Sequence, residues 1–379
     1  MSKREIGVAV IAAGSRSRGV VGNLLRDGET VSVKSVYDPD RDLAQKAVDQ
    51  WKSDTRICET YEEAIATEGV DWVMVFSPNA HHREHIVAAF NAGKHVFAEK
   101  PLATTIEDCR TIHDAHVASG LTFATGFVLR YAPIYRKVRE VLDSGAIGTI
   151  LSIDASENIG PAHGAYIMRN WRRLTQISGP HILEKCCHDL DLLNWFIGSV
   201  PSKAAAFGGL DFFVPENLSL REKYRVNDVS PFDGWADPHA VPCPFQSDKD
   251  IMDTLVSVLQ YRNGVKVQFQ ATMSNAIPER RMYISGTEGT IIAELYSGTL
   301  RVQKIGDPPA EPEPLEGDGH GGGDDYIMKS LYDTMINGTP PLCSGEEGLQ
   351  SAVAALAIDQ AAKTGQVFDI EPIWSEMGR

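Results

Sequence analysis

The run His95-Val96-Phe97-Ala98-Glu99-Lys100-Pro101 decides how this chain is interpreted. Its first four residues form the short apolar run that is typical of a buried parallel strand. Glu99 and Lys100 follow at the carboxyl end of that strand, where open α/β sheets bind their ligands. Pro101 cannot continue the hydrogen-bonded ladder, so the strand stops there. Lys100 is therefore either a contact to a cofactor or substrate, or a solvated charge at a strand end.

Strand and helix patterns alternate on both sides of this run. Apolar strands are predicted at 6–12, 31–37, 71–76 and 122–127, with helical patterns at 20–26, 42–51, 61–66, 82–92 and 106–118. This alternation predicts an α/β fold with a doubly wound parallel sheet. Ser77 and Asn79 follow the strand at 71–76, and each either caps the next helix or lines a cofactor crevice.

Two features of the first third indicate a nucleotide site. The turn Ala12-Ala13-Gly14-Ser15-Arg16 lies where backbone N–H groups at a helix start would bind a pyrophosphate, although Ala-x-Gly is a weak form of the usual glycine pattern. Arg16 either assists the phosphates or is solvated. Asp38 ends the second strand, where a carboxylate would bind ribose hydroxyls and repel a 2′-phosphate, which favours NAD over NADP. The alternative is a turn-forming Asp before Pro39.

Length and composition set the broad class. The 379 residues predict two domains, and the net charge of -15 argues against nucleic acid or an anionic membrane as the main partner. No apolar stretch approaches the ~20 residues of a transmembrane helix. The first residues run into a strand rather than a signal-peptide core. Six scattered cysteines suit a reducing compartment without structural zinc, so we expect a cytoplasmic protein with no metal.

Several motifs together resemble one known family. The residues that carry the resemblance are Ala12-x-Gly14, Asp38, Ser77-Pro78-Asn79-x-x-His82, Ala92-Gly93-Lys94-His95-Val96, Glu99-Lys100-Pro101, Arg130-Tyr131-Ala132-Pro133, Ser144-Gly145-Ala146-Ile147-Gly148, Ile284-Ser285-Gly286-Thr287-Glu288-Gly289-Thr290, Gly319-His320-Gly321-Gly322-Gly323-Asp324 and Ser344-Gly345-Glu346-Glu347. They span nearly the whole chain. The chain therefore resembles the glucose–fructose oxidoreductase and inositol dehydrogenase family, Gfo/Idh/MocA.

The resemblance implies a fold, a cofactor and a partner. It implies an N-terminal Rossmann domain, here 1–128, and a C-terminal α/β domain, here 129–379, with a large, mostly antiparallel open sheet. It implies NAD, a sugar or cyclitol substrate, and a homodimer or homotetramer joined through that sheet. In this family the lysine of Glu-Lys-Pro lies by the nicotinamide and the reacting hydroxyl. The proline-rich stretch 210–248 is predicted to be an irregular insert, used as a lid or an oligomer contact.

A second stretch with catalytic potential runs from Leu183 to Leu193. At helical spacing Glu184 and His188 share one face, with Asp191 beside them. A Glu–His pair orients an imidazole for general base catalysis, whereas the alternative is a core histidine or a surface ion pair. The family pattern Asp-x-x-x-His-x-x-Asp favours function, with Glu184 replacing the first Asp. A metal site with the adjacent cysteines is disfavoured, because successive helical residues point in different directions.

Further substrate candidates lie between 160 and 173, in what is predicted to be a non-helical connection. His163, Tyr166, Arg169, Trp171 and Arg172 either form a surface patch or bind a polyol or an anionic group. Similar segments in the family border the cofactor. The resemblance also implies substrate contacts from Arg130 and His320. The residues predicted to bind the cofactor are Ala12, Gly14, Ser15, Arg16, Asp38, Ser77, Asn79, His82, Glu99, Lys100, Trp171 and Arg172. The complete substrate set is Lys100, Arg130, His163, Tyr166, Arg169, Arg172, Glu184, His188 and His320.

The first functional hypothesis is an NAD-dependent dehydrogenase. A secondary sugar hydroxyl would lie between Lys100 and His188. His188 would take the hydroxyl proton as hydride passes to the nicotinamide, and Lys100 would stabilise the developing alkoxide. Glu184 would orient His188 or contact another hydroxyl.

Two other hypotheses remain open. Some relatives are NAD-dependent glycoside hydrolases, which oxidise a ring carbon transiently, usually C3, eliminate the aglycone, add water and re-reduce the sugar. Tyr166, His163 or His320 would then be an additional acid or base. The third hypothesis is a non-catalytic NAD and sugar sensor, which the presence of both Lys100 and His188 disfavours.

Overall fold

The computed structural model describes residues 5–27, 30–237, 239–315, 317 and 320–379. It divides into two compact units. The first comprises Met1–Ala132 with Gly322–Leu349, and the second comprises Pro133–Gly321 with Gln350–Arg379. The boundary expected after residue 128 stays a prediction. Among the described residues, no helix combines the length and apolar character that crossing a membrane requires.

The first unit contains a six-stranded parallel sheet. Its strands are β1 (Ile6–Ile11), β2 (Val31–Tyr37), β3 (Arg56–Ile57), β4 (Trp72–Val75), β5 (His95–Ala98) and β6 (Phe123–Thr125). Their order is β3-β2-β1-β4-β5-β6, and every neighbouring pair is parallel. From β1 the chain adds strands first on one side, β2 and β3, and then on the other side, β4 to β6. The carboxyl ends of β1 and β4 therefore flank the crevice where such sheets bind ligands. The doubly wound parallel sheet is confirmed.

Five helices connect these strands. They are α1 (Ser15–Asp27), α2 (Arg41–Trp51), α3 (Tyr61–Ala66), α4 (His82–Asn91) and α5 (Ile106–Ser119). The start predicted for α1 at residue 20 was wrong, because Arg18 N already donates to Gly14 O at 3.1 Å and the helix begins directly after the turn. The side chains of Pro78 and His81 make no capping hydrogen bond, and the capping alternative for Ser77 and Asn79 stays a prediction.

The second unit contains a nine-stranded sheet. Its strands are β7 (Ile150–Asn158), β8 (Pro201–Gly209), β9 (Thr254–Tyr261), β10 (Lys266–Thr272), β11 (Glu279–Gly286), β12 (Gly289–Glu294), β13 (Thr299–Lys304), β14 (Glu313–Pro314) and β15 (Phe368–Asp369). Their order is β14-β13-β12-β11-β7-β10-β9-β8-β15. Only β10 and β7 pair in parallel among them, so the predicted large, mostly antiparallel open sheet is confirmed.

Helices of the second unit depart from two predictions. They are α6 (Pro133–Asp143), α7 (Pro161–Arg169), α8 (Thr175–Ser178), α9 (His181–Glu184), α10 (Cys187–Ile197) and α11 (Ser219–Lys223). Residues 160–173 were expected to be non-helical, but Pro161 occupies the first turn of α7, a position where proline favours a helix. Glu184 and His188 were expected on one helix, but α9 ends at Glu184 and α10 begins at Cys187.

The insert, residues 210–248, is anchored by aromatic packing. Phe213, Phe232 and Phe245 are almost completely buried against Ile167 and Met168 of α7 and against Met273, which follows β10. The Asp253 carboxylate accepts the backbone N–H groups of residues 211, 212 and 213 at 2.7–3.0 Å. These contacts make the insert part of the core of the second unit.

A distant segment completes the first unit. This segment contains α12 (Gly323–Asn337) and the first residues of α13 (Gly345–Thr364), whose other residues belong to the second unit together with α14 (Glu371–Glu376). Thr125 Oγ1 at the end of β6 donates to Ser344 O at 2.9 Å. A β-carbon on Gly323 would lie 2.4 Å from Val128 O, so only glycine allows α12 to begin this close to the first segment.

Candidate active site

The turn after β1 is built around Gly14. A β-carbon placed on Gly14 would meet nothing within 4 Å, so the space above the start of α1 is open. Ala12 has a φ of 71°, a left-handed conformation that is rare for alanine. Ala13 N donates to Asp38 Oδ2 at 2.7 Å, which ties the turn to the end of β2. Open backbone N–H groups at the start of a 13-residue helix suit a phosphate.

Asp38 lies at the carboxyl end of β2, as predicted. Besides Ala13 N, it accepts Asp40 N at 2.8 Å through its other oxygen. Burial raises the pKa of Asp38, and these two backbone hydrogen bonds oppose the shift. Its position suits the ribose of a dinucleotide whose phosphates lie at Gly14.

Arg16 joins the turn to two acidic side chains within the first unit. Its Nε donates to Glu99 Oε1 at 2.6 Å and its Nη1 to Asp324 Oδ1 at 2.5 Å. Burial alone would lower the pKa of Arg16, but Glu99 and Asp324 outweigh burial and raise it. The Arg16 charge is thus compensated by protein carboxylates, and its contact to a phosphate stays a prediction. Ser15 begins α1 beside it.

His82 clamps two strand ends together. It is completely buried, with Nδ1 2.8 Å from Pro101 O and Nε2 2.9 Å from Ser77 O. Burial lowers its pKa. The ring therefore contacts both the turn after β4 and the turn after β5 that carries Lys100, and the single N–H of the neutral ring donates to one of the two carbonyls. His82 was predicted to bind the cofactor, and its contacts show that it positions the turns where a cofactor would bind.

The other predicted residues of the first unit occupy the same edge of the sheet or the packing behind it. Ser77 Oγ lies 2.9 Å from His85 Nδ1, and Asn79 is buried at the start of a 3-10 turn, Asn79–His81. Lys100 N donates to Glu99 Oε2 at 3.2 Å, and the Lys100–Pro101 bond is cis. Arg130 is buried, and its Nη1 lies 3.7 Å from Glu347 Oε1 within the first unit. Its substrate role stays a prediction.

Arg172 organises the site of the second unit. Its Nε donates to Glu184 Oε1 at 2.9 Å, and its Nη1 donates to Tyr166 Oη and Asn170 Oδ1, both at 3.0 Å. Its guanidinium lies 4.4 Å from the centre of the Trp171 ring. Burial alone would lower the pKa of Arg172, but Glu184 and Tyr166 raise it. The break between α9 and α10 leaves Glu184 paired with Arg172 across 12 residues of sequence.

Three histidines and a tyrosine that were predicted as site residues also belong to the second unit. His188 is buried on α10, and its ring centre lies 6.0 Å from that of His320. His163 is held neutral at pH 7, because burial and the nearby Lys185 lower its pKa to about 2. Burial raises the pKa of Tyr166, so its hydroxyl carries a proton at neutral pH. Tyr166 is therefore a proton donor at neutral pH, whereas the low pKa of His163 makes its ring a weak base.

A buried ionic network supports the segment that carries His188. Arg280 binds Asp189 through two hydrogen bonds of 2.8 and 2.7 Å, and it lies 2.9 Å from Glu157. Lys185 Nζ is 3.4 Å from Glu157 as well. This network was not predicted from the sequence. The only sequence signal for it is the run of charges around His188, because its other members come from β7 and β11.

Arg169 was predicted to bind substrate, but its guanidinium faces the insert. Its Nε donates to Val241 O at 2.7 Å, and its Nη1 donates to Asp233 O. Arg169 therefore fixes the insert to α7, and a substrate contact stays a prediction. Trp235 of the insert was not predicted as a site residue, yet its ring lies beside His163 and Tyr166, with ring centres 4.6 and 4.9 Å away.

Comparison with known proteins matches two family models to successive parts of the chain. Residues 6–127 match a family model described as the oxidoreductase family's NAD-binding Rossmann fold. Residues 139–370 match the model of that family's C-terminal alpha/beta domain.

Individual relatives extend over much of the chain. Inositol 2-dehydrogenase of Gluconacetobacter diazotrophicus is 26% identical over 386 residues, which cover 97% of each chain. The 2,7-anhydro-N-acetylneuraminate hydratase of Escherichia coli is 26% identical over 240 residues, covering 63% of this chain and 56% of that protein. Among solved structures, levoglucosan dehydrogenase in complex with NADH has a similar fold, with a TM-score of 0.78 at 20% identity over 97% of this chain and 99% of that one.

Proposed function

The chain belongs to the Gfo/Idh/MocA oxidoreductase family, and from this premise we propose that it is an NAD-dependent dehydrogenase of a sugar, sugar derivative or cyclitol. The observation that carries the proposal is an NAD-binding Rossmann fold with Lys100 at the carboxyl end of β5, supported by the open space at Gly14 and the carboxylate of Asp38. The relative named inositol 2-dehydrogenase supports a polyhydroxylated substrate.

The proposed chemistry moves one hydride and one proton. Bound NAD supplies the hydride acceptor for the C–H of a secondary alcohol. His188 accepts the hydroxyl proton, so the alcohol becomes a carbonyl. Lys100 stabilises the negative charge that develops on the oxygen. Arg172 holds Glu184 and Tyr166 in place, and these groups bind neighbouring hydroxyls.

A redox-neutral lyase or hydrolase is the second candidate. The relative named as a hydratase favours it, since adding water changes no net oxidation state. In this candidate the sugar is oxidised transiently, usually at C3, so that the neighbouring C–H becomes acidic. The aglycone is eliminated, water is added and the sugar is reduced again. Tyr166, protonated at neutral pH, would be the acid that assists the leaving group.

A paired assay separates the candidates. The protein is incubated with NAD and a panel of sugars, cyclitols and p-nitrophenyl glycosides, including uronates and sulfonated sugars. NADH absorbance and aglycone release are followed in the same well. NADH that accumulates in step with substrate loss is the expected result. NAD-dependent aglycone release without NADH would instead establish the redox-neutral reaction, and NAD binding without either signal would count against both.

Lys100→Ala tests the catalytic assignment directly. We expect turnover to be abolished while NAD still binds, because the lysine acts on the developing charge. Lys94→Ala is the matched control, since Lys94 precedes the opposite end of β5 and donates to Val70 O. Full turnover in the Lys100 variant would contradict its assigned role.

The open face of the nine-stranded sheet supports a homo-oligomer. Phe207, Val256 and Val258 on β8 and β9 are 76%, 42% and 54% exposed, and Tyr283 on β11 is 38% exposed. Apolar side chains that stand together on one exposed sheet face are typical of a subunit interface. We propose a second copy of the chain as the partner and the cytoplasm as its location.

A further inference from the structure

Trp235 of the insert is held in place while half of its ring is exposed. The residue is 52% exposed, although tryptophan usually buries most of its surface. Its ring rests against the rings of His163 and Tyr166 at tilts of 42° and 40°. Tyr166 is in turn hydrogen-bonded to Arg172, the centre of the site in the second unit. The exposed indole thus adjoins the residues that bind the reacting sugar in the proposed function.

The backbone around Trp235 is tied to α7 on both sides. A β-carbon on Gly234, whose φ is 69°, would lie 2.9 Å from Tyr166 N, so this glycine allows a close backbone approach. Arg221 binds the Asp233 carboxylate at 2.8 and 3.0 Å. Asn170 Nδ2 donates to Asp237 Oδ2. A ligand that binds Trp235 therefore does not have to order a loose segment first, which lowers the cost of binding.

The indole borders an open depression of about 460 Å³. Its lining consists of Arg169, Asp233, Gly234, Trp235, Ala236 and Asp237. The volume falls in the range of small-ligand sites, roughly 300–1,000 Å³. Arg169 directs its guanidinium to backbone carbonyls. The carboxylates of Asp233 and Asp237 already accept hydrogen bonds from the protein, and their remaining lone pairs can accept a hydroxyl donor. This chemistry disfavours an anion and suits a neutral ring with hydroxyl donors.

We propose that Trp235 and this depression form a second sugar-ring subsite, which takes a neutral pyranose linked to the sugar that reacts. A pyranose presents an apolar C–H face to the indole and hydroxyl groups to Asp233 and Asp237. The proposal rests on the proposed function for the identity of the reacting sugar. It makes the substrate a glycoside or oligosaccharide rather than a free monosaccharide.

Calorimetric titration of the NAD-loaded protein tests the subsite without requiring turnover. The probes are maltose, cellobiose and lactose, with glucose and galactose as their single-ring counterparts. We expect at least one disaccharide to bind about tenfold more tightly than its monosaccharide, which corresponds to about 1.4 kcal/mol. Trp235→Ala should remove that preference and Trp235→Tyr should retain most of it. Tyr224→Ala is the matched control, because Tyr224 lies in the same insert and is 49% exposed.

The outcomes separate this proposal from the proposed function. Sugars that are oxidised with NAD but show no disaccharide preference would overturn the subsite and leave the dehydrogenase. A preference lost in Trp235→Ala, without oxidation of any sugar, would support the subsite and count against the dehydrogenase. If the ratio of disaccharide to monosaccharide affinity in Trp235→Ala stays within twofold of that in the unmodified protein, the subsite is overturned. If Trp235→Ala does not fold, Trp235→Leu removes the aromatic face and is judged by the same ratio.

Discussion

Replacing His82 by phenylalanine tests whether the turn that carries Lys100 is held by one buried ring. His82→Phe retains a ring of similar size and removes both polar nitrogens. The ring lies 2.8 and 2.9 Å from the carbonyl oxygens of Pro101 and Ser77, and it is completely buried. Because water cannot replace the lost donor, a buried carbonyl left without a partner costs about 1–3 kcal/mol.

We expect a destabilisation of about 1–3 kcal/mol for His82→Phe, because the hydrogen bond that the neutral ring donates to a buried carbonyl is lost. Burial lowers the pKa of His82 below that of an exposed histidine, so the ring is neutral at pH 7.5 and has one N–H to donate. The free energy of unfolding is measured by urea titration at that pH, with the slope compared between variants. The freed turn should also lower kcat/KM by at least about tenfold, because displacement of a catalytic group is costly.

The matched control for this experiment is His81→Phe. His81 precedes α4 and pairs with Glu84 at 2.9 Å, but its side chain is 54% exposed. Exposed pairs contribute about 0–1 kcal/mol, so the control should change little. A loss of stability below about 0.5 kcal/mol in His82→Phe, with unchanged kcat/KM, would refute the role of the clamp.

Four shorter predictions address the cofactor, acid stability and assembly. Gly14→Ala should leave the apoprotein folded but lower NAD affinity at least about tenfold in a fluorescence titration, because its β-carbon enters open space where the pyrophosphate would lie. Asp38→Ala should raise NADP affinity at least about fivefold by removing a negative charge, and an unchanged NADP affinity would count against Asp38 as the discriminator. The pKa of His163 is about 2 in the folded state and about 6.5 in the unfolded state, so the unfolded state binds the proton first as pH falls. The free energy of unfolding therefore falls as pH drops below 6.5. His163→Gln should make this decline less steep between pH 6.5 and 5, by up to about 1.4 kcal/mol per pH unit. Phe207→Lys combined with Val258→Lys should yield monomers in light scattering, and an unchanged oligomer would contradict the proposed sheet interface.

The strands of the first unit could be predicted because their apolar runs reflect local burial. Val96, Phe97 and Ala98 are all essentially buried, so the pattern of β5 follows directly from its surroundings. The charged residues after it were predicted correctly as the end of the strand. The apolar run of β5 and its buried place in the sheet agree, and a structure can be predicted from sequence where such agreement holds.

The pairing of Glu184 could not be predicted from spacing. Glu184 and His188 would share one face only if they lay on one continuous helix. Instead, α9 ends at Glu184 and α10 begins at Cys187. Glu184 then binds Arg172, a partner that depends on how α7 and α9 pack. Trp235 was missed for a related reason, since its neighbours precede it by about 70 residues and no periodic pattern connects them.

The segment that completes the first unit has a consequence for synthesis on the ribosome. Residues 133–321 separate Ala132 from Gly322, so 189 residues are translated between the two parts of this unit. At about 5–20 residues per second, the wait is roughly 10–40 s. During that time Arg16 lacks Asp324, and Thr125 lacks the carbonyl of Ser344. The nascent N-terminal sheet therefore emerges before the segment 322–349 can pack against it, and we expect chaperones to bind it until residue 349 has left the exit tunnel.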